Sequence, residues 1–579
     1  MRLHNTLPLE DGRILAAQHT NVPLTRYFTA TFHKSSGRLV MRSTGLSCRE
    51  HGSFTIFSGD DSTGLPGEAT LEEMALRCKG VLIDKEPSHG PRIYLDPFCS
   101  VPVYFRDTAD AVYLSSCPHL IVDYASTPLD PVGFWETVLT GSGIWTRTPF
   151  RDLKQLPVAT CLDLKAGCRV SRYWHFADGY ASGTGIQNER DWLAGLDVLL
   201  TSRFAEISNR KLVVGLSGGV DSRIMALYLT EIGCHPRDIH LFTYAANRRS
   251  NEVRFASEVA GLLQYSLPEM FLLRERHYSE ALDYLPFWTA GQLGNNHSHM
   301  AELLRERGPS FPPGTVHVSS YYSDALFGAE CSGVSGELGV GGSVAYNKVL
   351  NSRAVPNDIR EEMLEDIRLA LSDAAVAKGF SDIAEYSYFT ERHGRILMPL
   401  AHVQSQFMPT RTPFADFALL RYMLAVPLSL RKRKRIVDEL IAYKMPTLAA
   451  IGNSSSREYF YGSNSLMVTR GLRDKLHYLE FRLLNAVNGC LVYFGDGVHL
   501  LTNPYQTEEL AAVFKRSYAG QLKKDLEASG ISALLPGPVL DELVRPRIRE
   551  KHLSEKFQLL SLARLLMTHS DRANGAIAS

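Results

Sequence analysis

The sequence predicts an α/β fold in two parts. A β-rich N-terminal sandwich precedes a doubly wound parallel sheet that ends in a mainly helical segment. Three observations predict it. Up to about residue 180, short strand-like runs alternate with turns. At Leu212 an apolar run passes through a glycine turn directly into helical spacing. Beyond that point strand and helix patterns alternate, as they do in an open parallel sheet.

In chain order, "RLVMRS", "RIYLDP", "PVYFRD" and "AVYLSS" read as short N-terminal strands. Phe176 to Ile186, "FADGYASGTGI", is small, polar and glycine-rich, and reads as a linker. Leu212 to Leu216 is continuously apolar and suits a strand covered on both faces. Ile224 to Leu229 returns apolar residues at helical spacing, and Gly233 is a natural stop. "HLFTYA", the helix "NEVRFASEVAGLL" and the strand "VHVSS" continue the alternation, and from Asp358 the pattern is mainly helical. Ser332 to Ser343, "SGVSGELGVGGS", is too long for a simple turn and suits either a lid or plain disorder. The expected domains are residues 1–180 and 190–565, with a flexible tail over 566–579.

Composition sets the outer bounds. A chain of 579 residues exceeds one hydrophobic core. Its 62 basic and 62 acidic residues balance, which gives no global electrostatic case for nucleic acid or an anionic membrane. The first residues lack the apolar core of a signal peptide. Phe481 to Leu501, the most apolar later stretch, is interrupted by Arg482, Asn485, Asn488 and Asp496, so no span is expected. Nine cysteines without a C-x-x-C pair favour reduced thiols and a cytoplasmic setting.

The chemistry concentrates at Ser217-Gly218-Gly219-Val220-Asp221-Ser222. Glycines there let backbone N–H groups approach an anion, and the following helix adds a favourable dipole. No lysine follows the glycines as in G-x-x-x-x-G-K-[ST], and G-x-G-x-x-G is missing as well. An ordinary glycine turn of a Rossmann-like sheet would share the spacing. The six residues resemble the S-G-G-x-D-S pyrophosphate loop of the ATP-pyrophosphatase superfamily, which implies ATP binding by Leu216 to Ser222. "VHVSSYYSDALFGAE", from Val316, resembles the G-x-G-S-D-E-L-F-G motif of asparagine synthetases, although Ser320 and Tyr322 stand for its glycines and Ala325 for its acidic residue. The resemblance implies that Asp221 and Asp324 hold Mg²⁺ on the ATP phosphates. Two carboxylates suffice for Mg²⁺ when phosphates complete its shell; an aspartate capping a strand exit is the simpler alternative. "TRTPFADFALLRYMLAVPLSLR" is similar to the R-x-P-F-L-D segment of that family, with Arg411, Pro413, Phe414 and Asp416 in register. "FTYAANRRSNEVRFASEVAGLL" occupies the place of the adenine-embracing strand and helix, which implies contacts from Thr243 and Tyr244.

The N-terminal stretches "GPRIYLDPFCSVPVYFRDTADAVYLSSCPHLIV" and "TPFRDLKQLPVATCLDLKAGCRVSRYWHF" resemble the glutaminase domain of the same family. That chemistry needs a cysteine directly after the initiator Met, whose freed amine is its base; Arg2 stands there and the first cysteine is Cys48. A degenerate, glutaminase-like scaffold domain is therefore expected. The layout then resembles β-lactam synthetases and lasso-peptide cyclases, in which an internal amine attacks an acyl-adenylate. In β-lactam synthetases a tyrosine three residues before the magnesium aspartate, paired with a glutamate, serves as base; Tyr321 has that spacing and Glu391 is the candidate partner. The family's phosphate-holding lysine is absent from "IGNSSSREYFYG", where Arg457 could supply charge. His297 and His299 are read as a polar pocket wall, since no further Cys/His cluster supports a metal.

The resemblance implies an ATP- and Mg²⁺-dependent carbon–nitrogen ligase acting on a peptide or small molecule. The leading form is macrolactam closure of a natural-product precursor, with a leader-peptide protease as one expected partner. Amidation of a polysaccharide sugar or small carboxylate, and a nucleotide-binding scaffold without activity, are the alternatives.

Overall fold

The computed structural model describes residues 24–59, 69–124, 126–181, 186, 188–245, 248, 250–292, 298–329, 344–352, 354–377, 383–451, 519–544 and 553–575. The N-terminal portion holds eleven strands: β1 (Tyr27–His33), β2 (Arg38–Thr44), β3 (Ser47–His51), β4 (Phe54–Ser58), β5 (Gly80–Asp84), β6 (Arg92–Leu95), β7 (Tyr104–Asp107), β8 (Ala111–Ser115), β9 (Lys154–Gln155), β10 (Thr160–Asp163) and β11 (Arg169–Arg172). They form two antiparallel sheets, ordered β2-β1-β8-β7-β9 and β11-β10-β6-β5-β4-β3. Alternation explains how the sheets pack: β1 buries Phe28, Ala30 and Phe32 and turns its threonines outward. Phe28 stacks on Phe57 of β4, with ring centroids 5.2 Å apart, and so joins the two sheets.

The second portion is built on five parallel strands: β12 (Leu212–Gly215), β13 (Ile239–Ala245), β14 (Glu269–Leu272), β15 (Val316–Val318) and β16 (Thr410–Arg411). Their order is β14-β13-β12-β15-β16. Val213 and Phe242 pack on one face against Met300 and Leu304 of helix Ser298–Arg307. Leu212, Val214 and Leu241 join the main core with Ile224 and Leu227 of helix Val220–Glu231. After β12 the chain builds outward through β13 and β14, then returns to place β15 on the other side of β12. Such a reversal opens a crevice at the carboxyl ends of the two central strands, where open α/β sheets bind ligands.

Two expectations are corrected. The glycine-rich stretch at 176–186 does not start as a linker: Phe176–Ala181 is helical, and the Phe176 ring is fully buried and stacked on Phe389 at 5.1 Å. Nor does the fold stop before residue 566, because helix Leu553–Gly575 runs through most of the expected tail. That helix buries Phe557, Leu560 and Leu562, and its Gln558 donates to the Gly291 carbonyl. The Ser332–Ser343 loop and Phe481–Leu501 lie outside the described residues. Among the described residues no helix is long and apolar enough to cross a membrane.

The two portions meet at the segment Tyr388–Leu397, a π-helical stretch. Arg395, fully buried, donates from it to the carbonyls of Trp145 and Arg147. Beside it, Gly394 faces Val158, and an added Cβ would lie 2.6 Å from Val158 Cγ1. Overpacking of this kind costs ~1–3 kcal/mol. Gly394→Ala is therefore expected to lower stability by about that amount in chemical denaturation; unchanged stability would show that this junction is loosely packed.

Candidate functional site

The crevice at β12 and β15 is a cavity of about 110 Å³. Its walls come from Gly215, Leu216, Ser217, Asp221 and Ser222 on one side, and from the run Val318 to Asp324 on the other. Tyr244, Met300, His317, His393 and Leu397 close it. Ligand pockets for drug-sized molecules span ~300–1,000 Å³, so in this closed form the cavity accommodates only part of a nucleotide.

The loop after β12 is held by its own serines. Ser217 N–H donates to Ser222 Oγ at 3.0 Å, the two hydroxyls lie 2.9 Å apart, and Gly219 N–H donates to Ser217 Oγ at 3.1 Å. Gly219 is the N-cap residue of helix Val220–Glu231 and, as a glycine, supplies no side-chain cap; the loop amides before the helix are taken by the protein's own acceptors. Gly218 N–H donates to the Glu252 carboxylate, an anion already drawn to the loop. Arg223 fastens the loop from behind through the Ile451 carbonyl at 2.9 Å, and burial lowers its pKa to about 10.

Across the crevice, Asp324 lies in the short helix Ser323–Leu326. The residue before that helix, Tyr322, has φ = 76°. This is the left-handed region that glycine adopts freely and other residues enter at a cost of ~1–2 kcal/mol. The glycine missing from the motif is thus replaced in residue type but retained in conformation. The buried ring of Tyr322 offsets the strain by packing edge-on against Phe98, 4.9 Å away, and against His393, 5.2 Å away.

Asp221 and Asp324 are brought together around a residue that sequence reasoning missed. Lys434 Nζ lies 2.5 Å from Asp221 Oδ2 and also contacts Asp324 Oδ1. Arg433 and Lys434 have φ of 57° and 61°, two successive left-handed residues without a glycine. Each costs ~1–2 kcal/mol, and strain of this kind concentrates where geometry serves a function. Burial and the nearby Asp324 charge push Asp221 up to about 6, against the pull of Lys434. Burial works in the same direction on Asp324, but Lys434 and His393 outweigh it and hold that carboxyl below its ordinary value. Burial alone would lower Lys434; the two carboxylates raise it and keep it charged.

The site suits a divalent cation only together with a ligand. Among the described residues no group of three or more His, Cys, Asp or Glu side chains could hold a metal. Asp221 Oδ1 is buried with no hydrogen-bond partner among the described residues, and the two carboxylates already share a positive charge. Two carboxylate donors completed by phosphate oxygens match the way Mg²⁺ is held in phosphate-transferring sites.

The remaining sequence candidates fall in different places. Tyr321 lines the cavity, and its hydroxyl accepts from Gln404 Nε2 at 2.8 Å. Burial raises its pKa, which favours the neutral phenol over the phenolate that a base would require. Glu391 is buried, not on the surface; it accepts from Tyr346 Oη at 3.4 Å and lies 3.8 Å from Arg395 Nε. The expected pairing of Tyr321 with Glu391 is thus replaced by separate partners for each. From the same π-helical stretch it is His393 and Leu397 that reach the cavity. Tyr244 lines the cavity, whereas Thr243 is buried with its hydroxyl unpartnered among the described residues. His299 is buried against Tyr244, 4.7 Å away, and Tyr278. Arg411 donates to the Gly59 carbonyl, and Asp416 caps helix Phe417–Ala425 and pairs with Arg203 at 3.1 Å, so both serve structural roles. Arg457 and His297 lie outside the described residues. The basic run Arg431–Arg435 was the one sequence signal for Lys434, and such runs normally read as solvated surface. No protein-family model matches the chain, and a search of curated proteins found no match.

Burial raises Glu391 from 4.5 to about 7. A carboxyl whose folded pKa exceeds its unfolded value contributes stability that is present below pH ~4.5 and lost as pH rises through ~7. Glu391→Gln keeps the shape without the titration. The stability of the wild type relative to this variant is expected to fall by about 3 kcal/mol between pH 4.5 and 7.5. A flat difference across that range would mean that the carboxyl is solvated or fully paired.

Proposed function

We propose that the chain is an ATP- and Mg²⁺-dependent amide synthetase that adenylates a carboxylate and closes an amide with an amine from a source other than glutamine. Its leading form is macrolactam closure of a peptide natural-product precursor. The observation that carries the reading is the convergence of Asp221, Asp324 and Lys434 beside the Ser217–Ser222 loop, at the carboxyl ends of β12 and β15. Charged groups of both signs, partly buried beside the start of helix Val220–Glu231 at a sheet reversal, suit the triphosphate of a nucleotide. The resemblance of the two aspartate motifs to asparagine synthetases selects adenylation among nucleotide chemistries. In that reading the ATP-pyrophosphatase-like portion carries the reaction and the glutaminase-like portion is a scaffold.

Asp221 and Asp324 would hold Mg²⁺, which neutralises phosphate charge and makes pyrophosphate a better leaving group. With the triphosphate held beside the start of helix Val220–Glu231, a carboxylate oxygen would displace pyrophosphate at the α-phosphorus. An amine then attacks the acyl carbon, AMP leaves, and the nitrogen gives up a proton, for a net loss of one water from the substrate. Tyr321, fixed by Gln404, and His393 are the polar groups on the cavity wall nearest this second step. Burial raises the thiol pKa of all seven described cysteines, so none of them is poised as a glutaminase nucleophile.

The two half-reactions separate the roles. Asp324→Asn is expected to lower pyrophosphate release by roughly 10²-fold or more, because charge stabilisation is removed from the first step. Tyr321→Phe is expected to leave that step intact, measured as hydroxamate formed when hydroxylamine traps the adenylate. Product formation should fall by roughly 10²-fold if the hydroxyl guides the amine proton. Equal loss of both steps in Tyr321→Phe would make Tyr321 a nucleotide or folding residue; full activity in Asp324→Asn would remove Asp324 from the site.

A further inference from the structure

Lys434 holds two of the four carboxylate oxygens that could bridge a metal. Its Nζ contacts one oxygen of each, Oδ2 of Asp221 and Oδ1 of Asp324. Mg²⁺ sits ~2.0–2.1 Å from its oxygen ligands. A metal on those same oxygens would therefore lie within about 4 Å of the ammonium, and like charges that close in a partly buried site repel strongly. The two cations exclude each other.

The backbone beneath Lys434 is strained. Its two left-handed residues, Arg433 and Lys434, lie between the one-turn helix Leu428–Arg431 and helix Arg435–Lys444. Arg433 N–H donates to the Gly328 carbonyl at 3.2 Å, which ties this hinge to the turn after the Asp324 helix. Lys432 and Arg433 are exposed, so the lysine side chain emerges at the solvent edge of the site.

We propose that Lys434 is a resident counter-cation: it holds the two-carboxylate site closed in the free protein and is displaced when a divalent cation arrives with the nucleotide. The proposal rests on the nucleotide reading above and adds regulation to it. Exchange of one cation for another keeps the carboxylates neutralised in both states. It also makes metal binding weak until phosphate oxygens contribute. The released ammonium, still tethered at the cavity edge, is then available to the phosphates that arrive with the metal.

The test uses the full chain and Mn²⁺, whose binding is read by electron paramagnetic resonance without any turnover. Lys434→Met removes the charge and keeps the length of the side chain. In the absence of nucleotide it is expected to bind Mn²⁺ at least roughly tenfold more tightly than the wild type. Its unfolding midpoint should rise with Mn²⁺ while that of the wild type does not. Adding Asp324→Asn to Lys434→Met should abolish both gains. Should Lys434→Met fail to fold without metal, recovery of its unfolding transition on adding Mn²⁺ supports the exchange, and no recovery overturns it. Equal Mn²⁺ affinity in wild type and Lys434→Met, with ATP still recruiting Mn²⁺ to the wild type, overturns the exchange and leaves the nucleotide reading standing. No Mn²⁺ binding by either protein, with or without ATP, overturns both.

Discussion

The ion pair of Lys434 with Asp221 and Asp324 is the contact on which the rest of the site depends. Two carboxylates on the facing ends of β12 and β15 would repel each other without a cation between them, and partial burial would strengthen that repulsion. A buried pair of this kind contributes little net stability, because desolvation offsets most of the attraction. Its significance is the charge it leaves if one partner departs. The strained backbone at Arg433 and Lys434 is retained for a local geometry that an ordinary helix start would not deliver.

The N-terminal portion supports this arrangement through packing. Phe98 meets the strained Tyr322, Val158 meets Gly394 next to His393, and the carbonyls of Trp145 and Arg147 receive Arg395. Gln406 reaches the start of β1 by accepting from the Arg26 N–H at 2.8 Å. These contacts fix the π-helical stretch and the Asp324 turn from the side opposite the loop. Removing the N-terminal portion would expose an apolar face and unbalance buried charges.

Much of this was legible in residues and spacing. The apolar run Leu212–Leu216 marked a buried parallel strand, strand–helix alternation marked His240–Ala245, and the serine-glycine loop marked the turn between strand and helix. Asp324 was singled out through a partial motif, and Tyr322 before its helix takes φ = 76°, a conformation that glycine adopts freely. Lys434 was not legible, since nothing in a basic run shows which members turn inward; here Arg431 is buried against Glu385 and the left-handed backbone carries Lys434 to the two aspartates. Glu391 was named only through the resemblance; the π-helical stretch buries it while bringing His393 to the cavity. The stretch at Phe176 misled by composition: its small polar residues suggest a linker, but packing of Phe176 on Phe389 and Trp174 decides its structure.

The most direct measurement is a crystal structure of the full chain with Mg²⁺ and an ATP analogue that resists cleavage between its α- and β-phosphates. The triphosphate is expected along Ser217–Ser222, with the metal touching both Asp221 and Asp324 and Lys434 withdrawn from between them. A nucleotide bound elsewhere, with Lys434 still bridging the two carboxylates, would contradict the assignment of this crevice as the catalytic centre.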